Sequence, residues 1–147
     1  MEYFINCNTS TLAPYNVPLD QLRASHLYRR LGFSASVDTI NQAVGQNAGT
    51  LIDTLVDQAI NTAPLAAPTW ADWTNANYPE DNDARRQLRN QQHDEFRLAY
   101  TNGMLMNNLS DRLSFFWSNH FVTELDVYDC SSFLYYYVNC LQRNAIG

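Results

Sequence analysis

Residues 18–32 read Pro18-Leu19-Asp20-Gln21-Leu22-Arg23-Ala24-Ser25-His26-Leu27-Tyr28-Arg29-Arg30-Leu31-Gly32. Leu19, Leu22, His26, Leu27 and Arg30 recur at the i, i+3, i+4 spacing of one helical face. Pro18 suits a first helical turn, where its missing N–H would have no partner anyway. Gly32 is a natural C-terminal stop. The spacing predicts a helix from Pro18 to about Leu31.

The same period runs through the rest of the chain. A second helix is expected from Ser34 or Ser36 to about Val44, with Val37, Ile40 and Val44 as its apolar stripe. Gly45 and Gly49 then break the chain, and Thr50 caps a third helix. Its buried face is Leu51, Ile52, Leu55, Val56, Ala59 and Ile60, with Asp53 and Asp57 opposite. A Pro/Ala loop covers 64–69. Trp70 and Trp73 share a short helical turn that Tyr78-Pro79 ends. Glu80, Asp81 and Asp83 open a long helix, where acids suit the macrodipole. It carries Leu88, Gln92, Phe96, Ala99 and Tyr100 to about Asn107. A further helix restarts at Asn107, Asn108 or Ser110 and runs through Phe121. The last runs from an Asp129 cap to Arg143. Tyr3-Phe4-Ile5 and Phe121-Val122-Thr123 are too short to argue for strands. The expected fold is all-α, an irregular bundle of about six helices with short loops. Residues 1–17 form an irregular arm and 18–147 a single helical domain.

Composition narrows the function classes. The chain has 147 residues, 46% hydrophobic and 16% charged, which suits one domain. Its net charge is -6, so it shows no general basic footprint and no nucleic acid is expected as a partner. No apolar run is long enough for a membrane span. All nine basic residues are Arg, and the absence of Lys excludes Schiff-base and phosphate-loop lysine chemistry. Sixteen Asn and eight Gln argue against a thermophilic origin. No signal peptide is visible at Met1–Asn8. Cys130 and Cys140 are expected about 15 Å apart along one helix, too far for a disulfide. Cys7 is placed to reach either, and buried unpaired thiols are the favoured reading.

The chemistry-bearing residues are few. His26, His93 and His120 include no pair at i, i+3 or i+4, so there is no helical metal clamp. HExxH, GxGxxG, phosphate-loop and GxSxG patterns are absent. Asp81-Asn82-Asp83 reads as helix capping rather than half a calcium loop. No metal or cofactor is expected. Two clusters stand out. In residues 26–33, His26 and Arg30 share a helical face, either as an anion or carboxylate pocket or as a structural ion pair. In residues 115–126, His120 and Asp126 sit among large apolar side chains. There His120 is either a ligand or base, or a helix-end histidine bonded to a loop carbonyl. The candidate pocket is His26, Arg30, Trp117, His120 and Asp126. The preferred function is binding or scaffolding. The alternative is an enzyme of unknown reaction with a His/Arg/Asp pocket.

These two clusters carry a family resemblance. His26 to Phe33, followed by Ser34-Ala35-Ser36, resembles the opening HLLRRAGFG motif of the domain-of-unknown-function 1800 family. Residues 113–123, LSFFWSNHFVT, are similar to that family's Phe-Trp-His-x-His-Phe-Val-Thr string. Asp126-Val127 and Leu141 to Gly147 fit the stretch that follows. The likeness spans about residues 19–147 and is poor between Ala63 and Asn107. It implies an uncharacterised, bacterial, mostly helical group whose members are longer than this chain and often exported. It implies no reaction. Ser118 stands where the string has its first His, and Ser34 where the opening motif has its second Gly. Serine is a poor ligand for soft or borderline metals, so a metal role would not carry over intact.

The final helix carries Phe133-Leu134-Tyr135-Tyr136-Tyr137-Val138, apolar residues around its whole circumference. Such a helix wants cover on every side. The expectation is an incomplete domain that exposes apolar surface there. It would be met by a protein partner, self-association or a missing C-terminal part of the same protein. Trp117, inside an unbroken apolar stretch, is expected to matter more to stability than Trp70 beside its proline loop.

Overall fold

Helix α1 spans Gln21–Leu31, not Pro18–Leu31. Asp20 displaces Pro18 as the start because its carboxylate accepts the Arg23 amide at 2.8 Å, satisfying one of the unpaired first-turn donors. That amide, more than any other contact, holds the Asp20 carboxyl below its ordinary pKa. Gly32 caps the other end, its N–H donating to the Tyr28 carbonyl at 2.8 Å. In a computed structural model that describes residues 13–105, 109–124 and 130–147, five more helices follow: α2 (Val37–Ala43), α3 (Ala48–Asn61), α4 (Asn82–Leu105), α5 (Leu109–His120) and α6 (Ser131–Arg143). No strand occurs among the described residues, so the fold is all-α. The Tyr3-Phe4-Ile5 segment, Cys7, the Asn107 and Asn108 restart, Asp126 and the Asp129 cap lie outside the described residues.

Several caps and faces differ from expectation, each for a local reason. Ser36, one of the two expected caps, does cap α2, its Oγ accepting the Thr39 amide. Val37 and Val44 face solvent, and the packed side of α2 is Ala43 with Ile40. Asn47, not Thr50, caps α3, because its Oδ1 accepts the amides of both Gly49 and Thr50. Gly49 therefore lies inside the helix. Gly45 makes the turn before it with φ +86°, a left-handed conformation that costs glycine nothing. Its N–H donates to the Leu19 carbonyl at 2.8 Å while the Leu19 N–H donates to Gln46 O at 2.9 Å, pinning the entry of α1 to the α2–α3 turn.

The core lies in two clusters. One joins α1, α2 and α3 through Leu19, Ala24, Ala43, Ala48 and Leu51. The other holds Trp70, Phe96, Leu134 and Val138 between α4, α6 and the α3–α4 connection. Helix α5 packs against α3, α4 and α6 and so ties the two together. The α3–α4 connection, residues 62–81, is not a short loop. It contains the turn with Trp70 and Trp73 and a 3-10 turn at Asn75–Asn77, and it buries Trp70, Ala71 and Tyr78. It also caps α6. Ser132 Oγ donates to Trp73 O at 2.8 Å, the Ser131 N–H to the Tyr78 hydroxyl at 3.1 Å, and Cys130 Sγ to Asn75 Oδ1 at 3.0 Å.

Helix α6 is one-sided after all. Ser131, Ser132, Leu134, Val138 and Asn139 are buried, whereas Phe133 and Tyr136 face outward. The small side chains of Ser131 and Ser132 let the helix sit close to its neighbours, so Phe133 is left outside. Cys130 is buried, whereas Cys140 is exposed and a free thiol. Of these two cysteines, only Cys130 has the burial expected of them.

Candidate functional site

The two sequence motifs meet in space. After Gly32 ends α1, the Phe33 ring packs edge-on against Phe115 of α5, centroids 5.6 Å apart. The Arg112 guanidinium lies 5.4 Å over the same Phe33 ring, a cation–π contact. One turn further along α5, Phe116 packs at a tilt against His120 with centroids 4.2 Å apart, and Trp117 lies 5.8 Å from His120 and 5.8 Å from Phe121. Trp117 and His120, predicted together, are together.

The side chains of Ser118, Asn119 and His120 bond within their own helix. His120 Nδ1 is 3.0 Å from Phe116 O, a carbonyl of its own helix rather than of a loop. Ser118 donates to Phe115 O at 2.7 Å, and Asn119 donates to that same carbonyl at 3.0 Å. Positions 118 and 120 are two apart on a helix, so their side chains diverge and do not form a clamp. Among the described residues, no three His, Cys, Asp or Glu side chains gather as metal ligands would.

What the motif builds is an apolar groove of about 440 Å³ between the end of α5 and α6, lined by Trp117, Phe121, Tyr137, Cys140, Leu141 and Asn144. Two hydrogen bonds hold its walls. Trp117 Nε1 donates to Ala145 O at 3.2 Å, and the Tyr137 hydroxyl donates to Phe121 O at 2.6 Å. Phe121 and Val122 beside it are 61% and 73% exposed.

The other predicted residues fall elsewhere. His26 borders a second groove, about 630 Å³, between α1 and α3. Arg30 is exposed on α1 and lines neither groove. Asp126 lies outside the described residues.

Two titratable residues escaped the sequence reading. His93 and Asp111 are only 6% and 7% exposed. His93 is next to Gln92, on the row of α4 that carries Phe96, and that adjacency was its only signal. Asp111 sits in the first turn of α5, where carboxylates are usually solvated caps. Both lie on helices that pack together, and Tyr100 belongs to the same region. Burial, then the charges of Asp111 and Tyr137, push the Tyr100 phenol up to about 12. Its hydroxyl is buried without a hydrogen-bond partner. The folded state thus keeps this proton where the unfolded chain, titrating near 10, has lost it. Stability should fall as pH rises from about 10 toward 12. Tyr100→Phe should leave the Tm unchanged or higher at pH 7 and flatten that alkaline fall. Parallel melting curves for the two proteins above pH 10 would contradict this account.

No curated protein and no solved structure matches the chain. Residues 26–147, which contain both motifs, Phe33, Arg112 and the whole α5–α6 groove, match the family described as Protein of unknown function (DUF1800), and the chain belongs to that family.

Proposed function

We propose that the chain is a helical binding module and that its α5–α6 face is the docking surface. The observation that carries this reading is the apolar groove flanked by exposed Phe116, Phe121 and Val122. Exposed aromatic and aliphatic side chains beside a concave apolar wall are how protein interfaces anchor a partner. The occupant is a polypeptide surface of the same apolar chemistry, and a second copy of this chain is the one we expect. A face that carries both protruding rings and a groove is self-complementary, as a two-fold interface requires. Further support is that His26 and His120 belong to different surface features.

Sedimentation velocity tests this directly. The wild-type chain should self-associate at tens of micromolar and bind a hydrophobic dye. Phe121→Asp combined with Val122→Asp should abolish both, with little change in Tm, because exposed positions contribute about 0.5 kcal/mol or less to folding. A clean wild-type monomer that binds no dye would sink the proposal.

A further inference from the structure

The α1–α3 groove is separate from the docking face and unused by it. It is lined by Leu19, Leu22, Ala48 and Ile52, with Arg23, His26 and Arg29 also on its walls and Tyr15 at one end. At about 630 Å³ it falls in the size range of small-molecule sites, mainly apolar with a few charged groups. Leu22 is 80% exposed, an aliphatic side chain offered to solvent at the rim of a binding-sized hollow. Charge gives the groove a polarity. Helix α1 (Gln21–Leu31) carries Arg23, Arg29 and Arg30 and no acid, in a chain whose net charge is -6. Arg23 is committed to Asp20 and lies 5.4 Å over the Tyr15 ring. Arg29 forms no ion pair among the described residues and shares the groove wall with His26. Asp38, Asp53 and Asp57 of the neighbouring helices are exposed, and none lines the groove.

From this we infer that the α1–α3 groove binds an anionic amphiphile, a straight-chain monocarboxylate whose alkyl chain lies on Leu22, Ala48 and Ile52 and whose carboxylate meets Arg29 and His26. Apolar walls account for the chain, and Arg29, the one uncommitted guanidinium of the wall among the described residues, accounts for a single anionic head. An acidic amphipathic peptide shares the charge but would need a longer contact surface than this short hollow supplies.

Titration calorimetry at pH 8 with octanoate, decanoate and dodecanoate, all below their micellar concentrations, is the test. Binding should saturate at one equivalent and tighten roughly fourfold for each added methylene. Arg29→Gln should weaken dodecanoate roughly tenfold. Leu22→Asn should weaken it as well. Both side chains are exposed, so both variants should keep the wild-type Tm. Dodecyltrimethylammonium, with the same chain and opposite charge, should bind worse than dodecanoate. The Phe121→Asp/Val122→Asp double variant should bind dodecanoate as the wild type does. If that variant loses it, the amphiphile sits on the docking face and this inference is wrong while the docking reading stands. Absence of saturation, equal binding of the cationic amphiphile, or binding of an acidic peptide in place of dodecanoate would equally overturn it.

Discussion

Trp70→Ala should destabilise the protein by about 3–5 kcal/mol, and Trp117→Ala by much less. This reverses the order that the sequence suggested. Trp70 is 2% exposed and fills the middle of the cluster formed with Phe96, Leu134 and Val138. Its ring meets Phe96 edge-on at 6.2 Å, and its Nε1 donates to Glu95 Oε2 at 2.9 Å. Truncation removes the largest side chain shared by α4, α6 and the connection between α3 and α4, and the cavity left there has walls on three sides. Trp117 is half-buried and forms one wall of an open groove, where water can occupy the vacated space. Urea unfolding separates the cases. The midpoint should drop steeply for Trp70→Ala and modestly for Trp117→Ala, with similar m values. Equal midpoints would refute the assignment of Trp70 to the core.

Trp70 shows where sequence patterns lose their grip. Helical rows were readable because burial on one face repeats every three or four residues, as with Leu88, Gln92, Phe96 and Tyr100. The connection at 62–81 has no period. Nothing in Pro68-Thr69-Trp70 distinguishes an indole under α6 from one in solvent. Caps were readable only as residue types, since Asp20, Ser36 and Asn47 compete with neighbours of similar chemistry and geometry decides among them. Helix α6 misled for a different reason. Hydrophobicity ranks Phe133 above Ser131, but close helix packing prefers the small residue, so Phe133 is outside and Ser131 inside. In the candidate site, the aromatic string of α5 was legible, whereas the burial of His93 and Asp111 was not. A polar residue is read as exposed until its partners are known.

Tyr78→Phe should cost about 2–4 kcal/mol although it removes a single oxygen atom. The Tyr78 hydroxyl donates to Gln92 Oε1 at 2.8 Å and accepts the Ser131 N–H at 3.1 Å, all three residues being buried. Ser131 is the first residue of α6, where backbone N–H groups have no partner within the helix. Cys130, the residue at the N-cap position, makes no side-chain capping bond to the first turn of α6, so the Tyr78 hydroxyl takes that role from 53 residues away. Phenylalanine would keep the ring, with its edge-on contact to Trp73 at 5.6 Å, and lose both hydrogen bonds. The loss then falls on desolvated groups, an amide N–H and a carbonyl oxygen, that water cannot readily reach. Two further measurements separate this from a packing defect. Native-state hydrogen exchange should show the Ser131 amide losing protection while amides in the middle of α3 keep theirs until global unfolding. Gln92→Leu, added to Tyr78→Phe, should recover part of the lost stability, because it removes one of the two orphaned groups. If the double variant is as unstable as the sum of the singles, the hydroxyl is not the link between α4 and α6.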